Sequence, residues 1–122
     1  MKQGIALIAH GSRDPEWRRP FERIAAALEK RLPSVAVALC YLEHGPSIDE
    51  ALAALVAKGA GTIRVVPLFL GAGGHVRNDL PALQRELEAA HPLVQWRLRP
   101  AIGETGSVIA AMADAAAKMA ME

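Results

Sequence analysis

Aromatic side chains are scarce, with two Phe, two Trp and one Tyr in 122 residues. Ala, Leu, Val and Ile must therefore fill the interior, and a hydrophobic fraction of 52% supplies enough of them. Cysteine is scarcer still. The one thiol, Cys40, excludes an internal disulfide and a cysteine-built metal site, and it suits a reducing compartment. On its strand it reads as buried packing. No apolar run approaches the ~20 residues that cross a bilayer. The N-terminal run, residues 5–9, is broken by His10 and Gly11 before it reaches the length of a secretory leader. The expected location is cytoplasmic, with no membrane partner. An excess of charge of either sign is also lacking: 14 basic against 13 acidic side chains leave a formal +1. The only basic cluster is the pair Arg18-Arg19, so nucleic acid is not an expected partner.

What is present is alternation. The length fits one domain, residues 1–122. Residues 5–9 form a short unbroken apolar run, as in a strand buried on both faces of a parallel sheet. Asp14-Pro15 offers a cap and a first-turn proline for a helix carrying Phe21, Ile24, Ala25, Leu28 and Leu32, although Pro20 leaves its start open. Residues 35–41 make a second strand. Ser47 and Glu50 have capping-box spacing, and Ile48, Ala51, Leu52, Leu55 and Val56 follow at helical intervals. Residues 63–70 read as a third strand, loosened at Pro67, which has no N–H to donate. Asn78 or Asp79 is the expected cap of a third helix with Leu80, Leu83 and Leu87. Residues 94–98 alternate apolar and polar, as a half-exposed edge strand does. Ser107 is the expected cap of a last helix, in which Met112 and Met119 read as core and Met121 as a fraying end.

A βαβαβαβα order implies an α/β fold with a parallel four-stranded sheet and helices on both faces. The flavodoxin-like strand order 2-1-3-4 puts the topological switch point, where such folds bind ligands, between the first and third strands. These strands run into the two most unusual loops, His10-Gly11-Ser12-Arg13-Asp14-Pro15 and Leu70-Gly71-Ala72-Gly73-Gly74-His75-Val76-Arg77-Asn78-Asp79. Neighbouring strands lie ~5 Å apart, so His10 and His75 are placed to converge on one small atom. Histidine ligates divalent transition metals, and Arg13 and Arg77 are suited to gripping carboxylates. Gly71, Gly73 and Gly74 would admit a flat substrate close to the backbone. Glu43 follows the second strand and is equally readable as a crevice acid or a solvated loop acid. His44 reads as a solvent-facing loop residue, and His91 as a helix-end residue outside any site.

At these loops the sequence resembles the CbiX-type small class II chelatases, the sirohydrochlorin cobaltochelatase family. Three pieces match in register: Ala9 through Pro15, Glu43 through Pro46-Ser47, and Pro67-Leu68-Phe69-Leu70 through Gly74-His75-Val76 to Asp79-Leu80-Pro81. The resemblance implies a chelatase-like fold and a lyase that inserts a divalent metal into sirohydrochlorin or a related tetrapyrrole without nucleotide. Cobalt is the expected ion, with iron or nickel as relatives' choices, and the metal is a substrate rather than a prosthetic group. By the same resemblance, His10 is proton acceptor and metal ligand, His75 is the second ligand, and Glu43 and residues 70–75 contact the tetrapyrrole. His44 departs from the pattern, which has an apolar or neutral residue there, and no histidine-rich tail is present.

Other readings are weaker or remain as alternatives. A histidine phosphatase would share His10-Gly11 but wants arginine where Ala9 stands. A dinucleotide-binding module lacks its G-x-G-x-x-G after the first strand. A non-catalytic metal carrier on the same fold would share both histidines. One such domain offers a tetrapyrrole a floor but no opposing wall, so a homodimer with its cleft between subunits is expected.

Overall fold

The computed structural model describes residues 2–71 and 73–122, and the side chains of 74–77 lie outside the described residues. Four strands, β1 (Lys2–Ala9), β2 (Ala36–Tyr41), β3 (Ala60–Pro67) and β4 (Gln95–Leu98), alternate with α1 (Pro15–Arg31), α2 (Ile48–Ala57), α3 (Gly74–Ala90) and α4 (Gly106–Ala120). All pairings are parallel, in the order β2-β1-β3-β4. The expected switch point between β1 and β3 is thus present.

Strand alternation divides the interior into two layers. Ala6, Ile8, Cys40, Ile63, Val65 and Trp96 point to the face covered by α2 and α3, where Leu52, Leu55, Leu80 and Leu87 meet them. Leu7 and its neighbours Ile5, Val37, Leu39 and Val66 point the other way, onto Phe21, Ala25 and Leu28 of α1. β4 is the half-exposed edge expected of it, with Trp96 buried between exposed Gln95 and Arg97.

Local chemistry explains most boundaries. The Asp14 carboxylate accepts from the Glu16 N–H, so α1 starts at Pro15 and carries Pro20 within it. Ser47 caps α2 by accepting from the Glu50 N–H at 3.2 Å. β3 ends at Pro67 and begins at Ala60, three residues earlier than the apolar run implied. The third helix departs most. It begins at Gly74 behind a Gly73 cap that offers no side-chain acceptor, and Asn78 and Asp79 lie inside it, as does Pro81. The expected long loop is therefore short, and the backbone of residues 75–77 belongs to the first turn of α3. The last helix starts at Gly106 behind Thr105 rather than behind Ser107. It also overturns the assignment of Met112 and Met119 to the core: they are 49% and 68% exposed, because α4 lies off the sheet and buries no residue. Among the described residues, no helix is long and apolar enough to cross a membrane.

Cys40 is fully buried, its thiol reaching the Leu7 carbonyl at 3.4 Å. Burial pushes the thiol pKa from 9.0 up to about 12, because a thiolate there would lose its hydration. An unfolded chain ionises first, so the stabilisation is complete below pH 9.0 and drains away as pH rises towards 12. Urea unfolding between pH 8 and 11 should show the parent losing about 1.4 kcal/mol per pH unit above ~9 relative to Cys40→Ala. Parallel pH profiles for the two proteins would contradict this account of the buried thiol.

Candidate active site

The carboxyl ends of β1 and β2 do not diverge when their pairing stops. The Leu42 N–H donates to the Ala9 carbonyl and the Glu43 N–H to the His10 carbonyl, both at 2.9 Å. The backbone pairing thus runs one step into the loops and ties the His10 and Glu43 main chains together, with both residues exposed. Gly11 makes this approach possible. Its φ is +103°, in the region that favours glycine, and a Cβ there would collide with the Glu43 carbonyl oxygen. On the other flank, the Leu68 N–H donates to the Ile8 carbonyl at 2.7 Å, which ties the β3 exit to β1.

Phe69 follows at once. Its ring lies 4.3 Å from the His10 imidazole, centroid to centroid, at 32°. Phe69 is buried and His10 exposed, so the phenyl ring is a fixed backing that leaves the other imidazole face open. A single 3-10 turn, Ile102–Glu104, holds Phe69 in turn. The Gly103 N–H donates to the Phe69 carbonyl at 2.9 Å, and a Cβ on Gly103 would strike the Leu70 backbone. Leu70 itself stands 69% exposed at the rim. An open, mainly apolar groove of about 340 Å³ is walled by Phe69 with Pro67, Leu80, Leu98 and Arg99.

The β2–α2 loop has its own clamp. The Arg18 guanidinium sits 4.6 Å from the centre of the Tyr41 ring and donates to the His44 carbonyl. His44 has φ +60°, a conformation that costs an L-residue energy unless its surroundings hold it. Trp17 packs beside Tyr41 with 6.3 Å between ring centroids. Burial raises the pKa of the Tyr41 hydroxyl, opposed by Arg18 and reinforced by Glu22 and Cys40, so Tyr41 is a neutral wall rather than an acid–base group.

Among the predicted site residues, His10, Glu43, Arg13, Leu70, Gly71 and Gly73 fall on the exits of β1, β2 and β3. His44 is exposed, as expected, and His91 caps the far end of α3 against Trp96. Ala72 lies outside the described residues, as do the side chains of His75 and Arg77; the backbone puts Gly74 first and His75 second in α3. Sequence reasoning missed Phe69, Arg18, Tyr41 and Arg99. The available signal was the scarcity of aromatics, two of which stand at or just beyond strand ends.

Comparison with known proteins decides the family. A model of the CbiX family matches residues 4–119. The chain belongs to the CbiX family. A sirohydrochlorin cobaltochelatase of Sulfolobus acidocaldarius is 39% identical over 83 residues, covering 68% of this chain and 67% of that one. A protein described as a cobalamin (vitamin B12) biosynthesis CbiX protein, from Marinobacter aquaeolei VT8, superposes with a TM-score of 0.85 at 35% identity, covering 98% of both chains. The sirohydrochlorin chelatase SirB of Bacillus subtilis subspecies spizizenii, solved in complex with cobalt, gives a TM-score of 0.72 at 26% identity. That match covers 82% of this chain and 44% of SirB. The CbiX chain thus spans about two thirds of the curated relatives it matches, 62–67% for the first of them, and less than half of SirB.

Gly11→Ala tests the geometry. The substitution combines left-handed strain with a backbone collision, so it should lower stability by at least about 2 kcal/mol in urea unfolding. The Glu43 and His10 amide resonances should move most in NMR spectra. A Gly11→Ala protein of parental stability with unmoved resonances would mean that the two loops are not in contact.

Proposed function

We propose that this CbiX-family chain is a sirohydrochlorin cobaltochelatase-like lyase that inserts a divalent metal ion into sirohydrochlorin or a closely related tetrapyrrole, with no nucleotide. The observation that carries the reading is the exposed His10 imidazole at the β1 exit, backed by Phe69 and hydrogen-bonded through its backbone to Glu43. Cobalt is the favoured substrate ion, supported by the names of the relatives, with Fe²⁺ and Ni²⁺ as the alternatives. Imidazole ligation alone does not separate these three metals.

Insertion must remove two pyrrole N–H protons, strip water from the ion and bring the ring nitrogens to face it. A neutral His10 imidazole holds the ion or accepts a proton through the ring edge that Phe69 leaves free. His75, second in α3 beside the neighbouring strand exit, is the second ligand. Two protein ligands suit an ion that must leave, whereas a closed tetrahedral site would retain it. Glu43 receives or relays a proton beside His10. The rim from Leu70 to His75, including Gly71, Ala72, Gly73 and Gly74, contacts the flat macrocycle, and Arg13 and Arg77 pair with its carboxylates. The apolar groove beside Phe69, with Arg99 at its wall, adds surface for the same ligand.

The working form is a homodimer in which a second copy of this 1–122 unit supplies the wall that one sheet end lacks. The extent of SirB beyond its matched 44% supports this reading. A cytoplasmic location is supported by the single, buried cysteine and the lack of any internal disulfide partner for it.

Titration calorimetry with Co²⁺ should show weak binding that falls at least ~10-fold in His10→Ala and in His75→Ala, a loss of about 1.4 kcal/mol each. Two variants that bind like the parent would place the metal elsewhere. Glu43→Gln should slow metal insertion into sirohydrochlorin by at least ~10-fold, within the range of a lost general base, with the melting midpoint unchanged. Full activity in Glu43→Gln would make Glu43 a solvated loop acid.

A further inference from the structure

The groove walled by Phe69 is built to keep its shape. Four elements meet there, and hydrogen bonds tie each to the next. The Arg99 N–H donates to the Val65 carbonyl at 2.9 Å, carrying the β3–β4 pairing one step past Leu98. The Leu98 N–H donates to the Gln84 side-chain oxygen at 3.0 Å, which fastens the end of β4 to α3. Gly103 holds the 3-10 turn to Phe69. Three prolines, Pro67, Pro81 and Pro100, line the same space and stiffen its backbone further. A groove ordered before its ligand arrives costs little to fill.

Charge reaches this groove from two exposed side chains, Arg99 and Glu104. Neither forms an ion pair among the described residues. The Arg99 guanidinium therefore offers its forked donors to a ligand, and a carboxylate matches them in shape and charge. The buried Phe69, Leu80 and Ala101 suit an aliphatic stem behind that carboxylate. Glu104 disfavours a second carboxylate in the same space, so the groove takes one. Its position relative to His10 is also fixed. Phe69 both lines the groove and packs on the His10 imidazole, with 4.3 Å between centroids. β4, which Arg99 follows, lies two strand spacings from β1, or ~10 Å. That span is of the order that separates the centre of a tetrapyrrole from the ends of its peripheral arms.

The geometry points to Arg99 and this groove as the site of one peripheral arm of the macrocycle, an aliphatic chain ending in a carboxylate. Arg99 is then a specificity-determining residue, favouring tetrapyrroles with a carboxylate arm at that position over those with an apolar one. The inference rests on the chelatase reading above and deepens it.

Metal-free sirohydrochlorin, titrated anaerobically into the protein and followed by absorbance, is the probe. Arg99→Gln should weaken its binding by at least ~10-fold, the size of a lost hydrogen bond to a charged group. In the Co²⁺ insertion assay the same variant should raise KM and leave kcat close to parental, because the arm is held equally before and during insertion. Arg99→Lys should recover part of the loss. Pro81→Trp, which fills the groove without changing charge, should weaken binding comparably. Arg97→Gln removes the same charge outside the groove lining and should bind like the parent. Parental binding by Arg99→Gln, or by a folded Pro81→Trp protein, overturns the inference and leaves the chelatase reading intact. So does an equal loss in Arg97→Gln, which would be an effect of net charge. Arg99→Gln alters an exposed side chain and carries the test if Pro81→Trp melts early. A parent that neither binds nor metallates sirohydrochlorin overturns both readings together.

Discussion

The site depends on a backbone contact without a side chain. Gly11 lies flush against the Glu43 main chain because it lacks a Cβ and holds φ at +103°. That approach lets the β1–β2 ladder continue past the sheet, with the His10 carbonyl accepting from the Glu43 N–H. Two residues 33 positions apart in sequence are thereby tied together through their main chains. Backbone atoms cannot choose among rotamers, so the loop carrying His10 inherits the rigidity of the sheet. A catalytic imidazole benefits from such support, since small displacements of a reacting group are costly.

The remaining supports are built outward from this contact, each by a different kind of interaction. Aromatic packing by Phe69 fixes one imidazole face, and a hydrogen bond from Gly103 fixes Phe69. Arg18 holds the Glu43–His44 loop from the other side, combining a cation–π contact with donation to a carbonyl on left-handed backbone. The 3-10 turn joins the β3 exit to α4. One short segment therefore lies between the site and α4.

The architecture was largely legible because local signals agreed with one another. The Ser47–Glu50 capping spacing, the apolar runs of β1 and β3 and the alternation in β4 all pointed to the elements found, and the flavodoxin-like order common among βα-alternating sheets is the one present. The α3 boundary was not legible because the signals conflicted. Asn78 and Asp79 are better caps than Gly73, and Pro81 suits a first turn better than a helix interior, yet the helix runs through all three. The fate of α4 was unreadable for a different reason: periodicity reveals an apolar face but not what covers it. At the site, strand order was enough to put the His10 loop and the loop after β3 at neighbouring strand exits, whereas Glu43 was equally readable as a solvated acid. Phe69, Arg18 and Arg99 escaped because their roles arise from contacts between elements distant in sequence.

Family membership, the exposed imidazole and the Glu43 loop tied to it through the main chain all bear on one claim, that this chain places a metal ion in a tetrapyrrole by itself. The most direct measurement is an anaerobic absorbance assay with purified protein, sirohydrochlorin and Co²⁺, Fe²⁺ or Ni²⁺ in turn, with no nucleotide present. The account predicts conversion to the metallated spectrum well above the protein-free rate, fastest with Co²⁺ and sharply reduced in His10→Ala. Metal binding with insertion no faster than in buffer, for all three ions, would contradict it and leave a metal carrier on the chelatase fold.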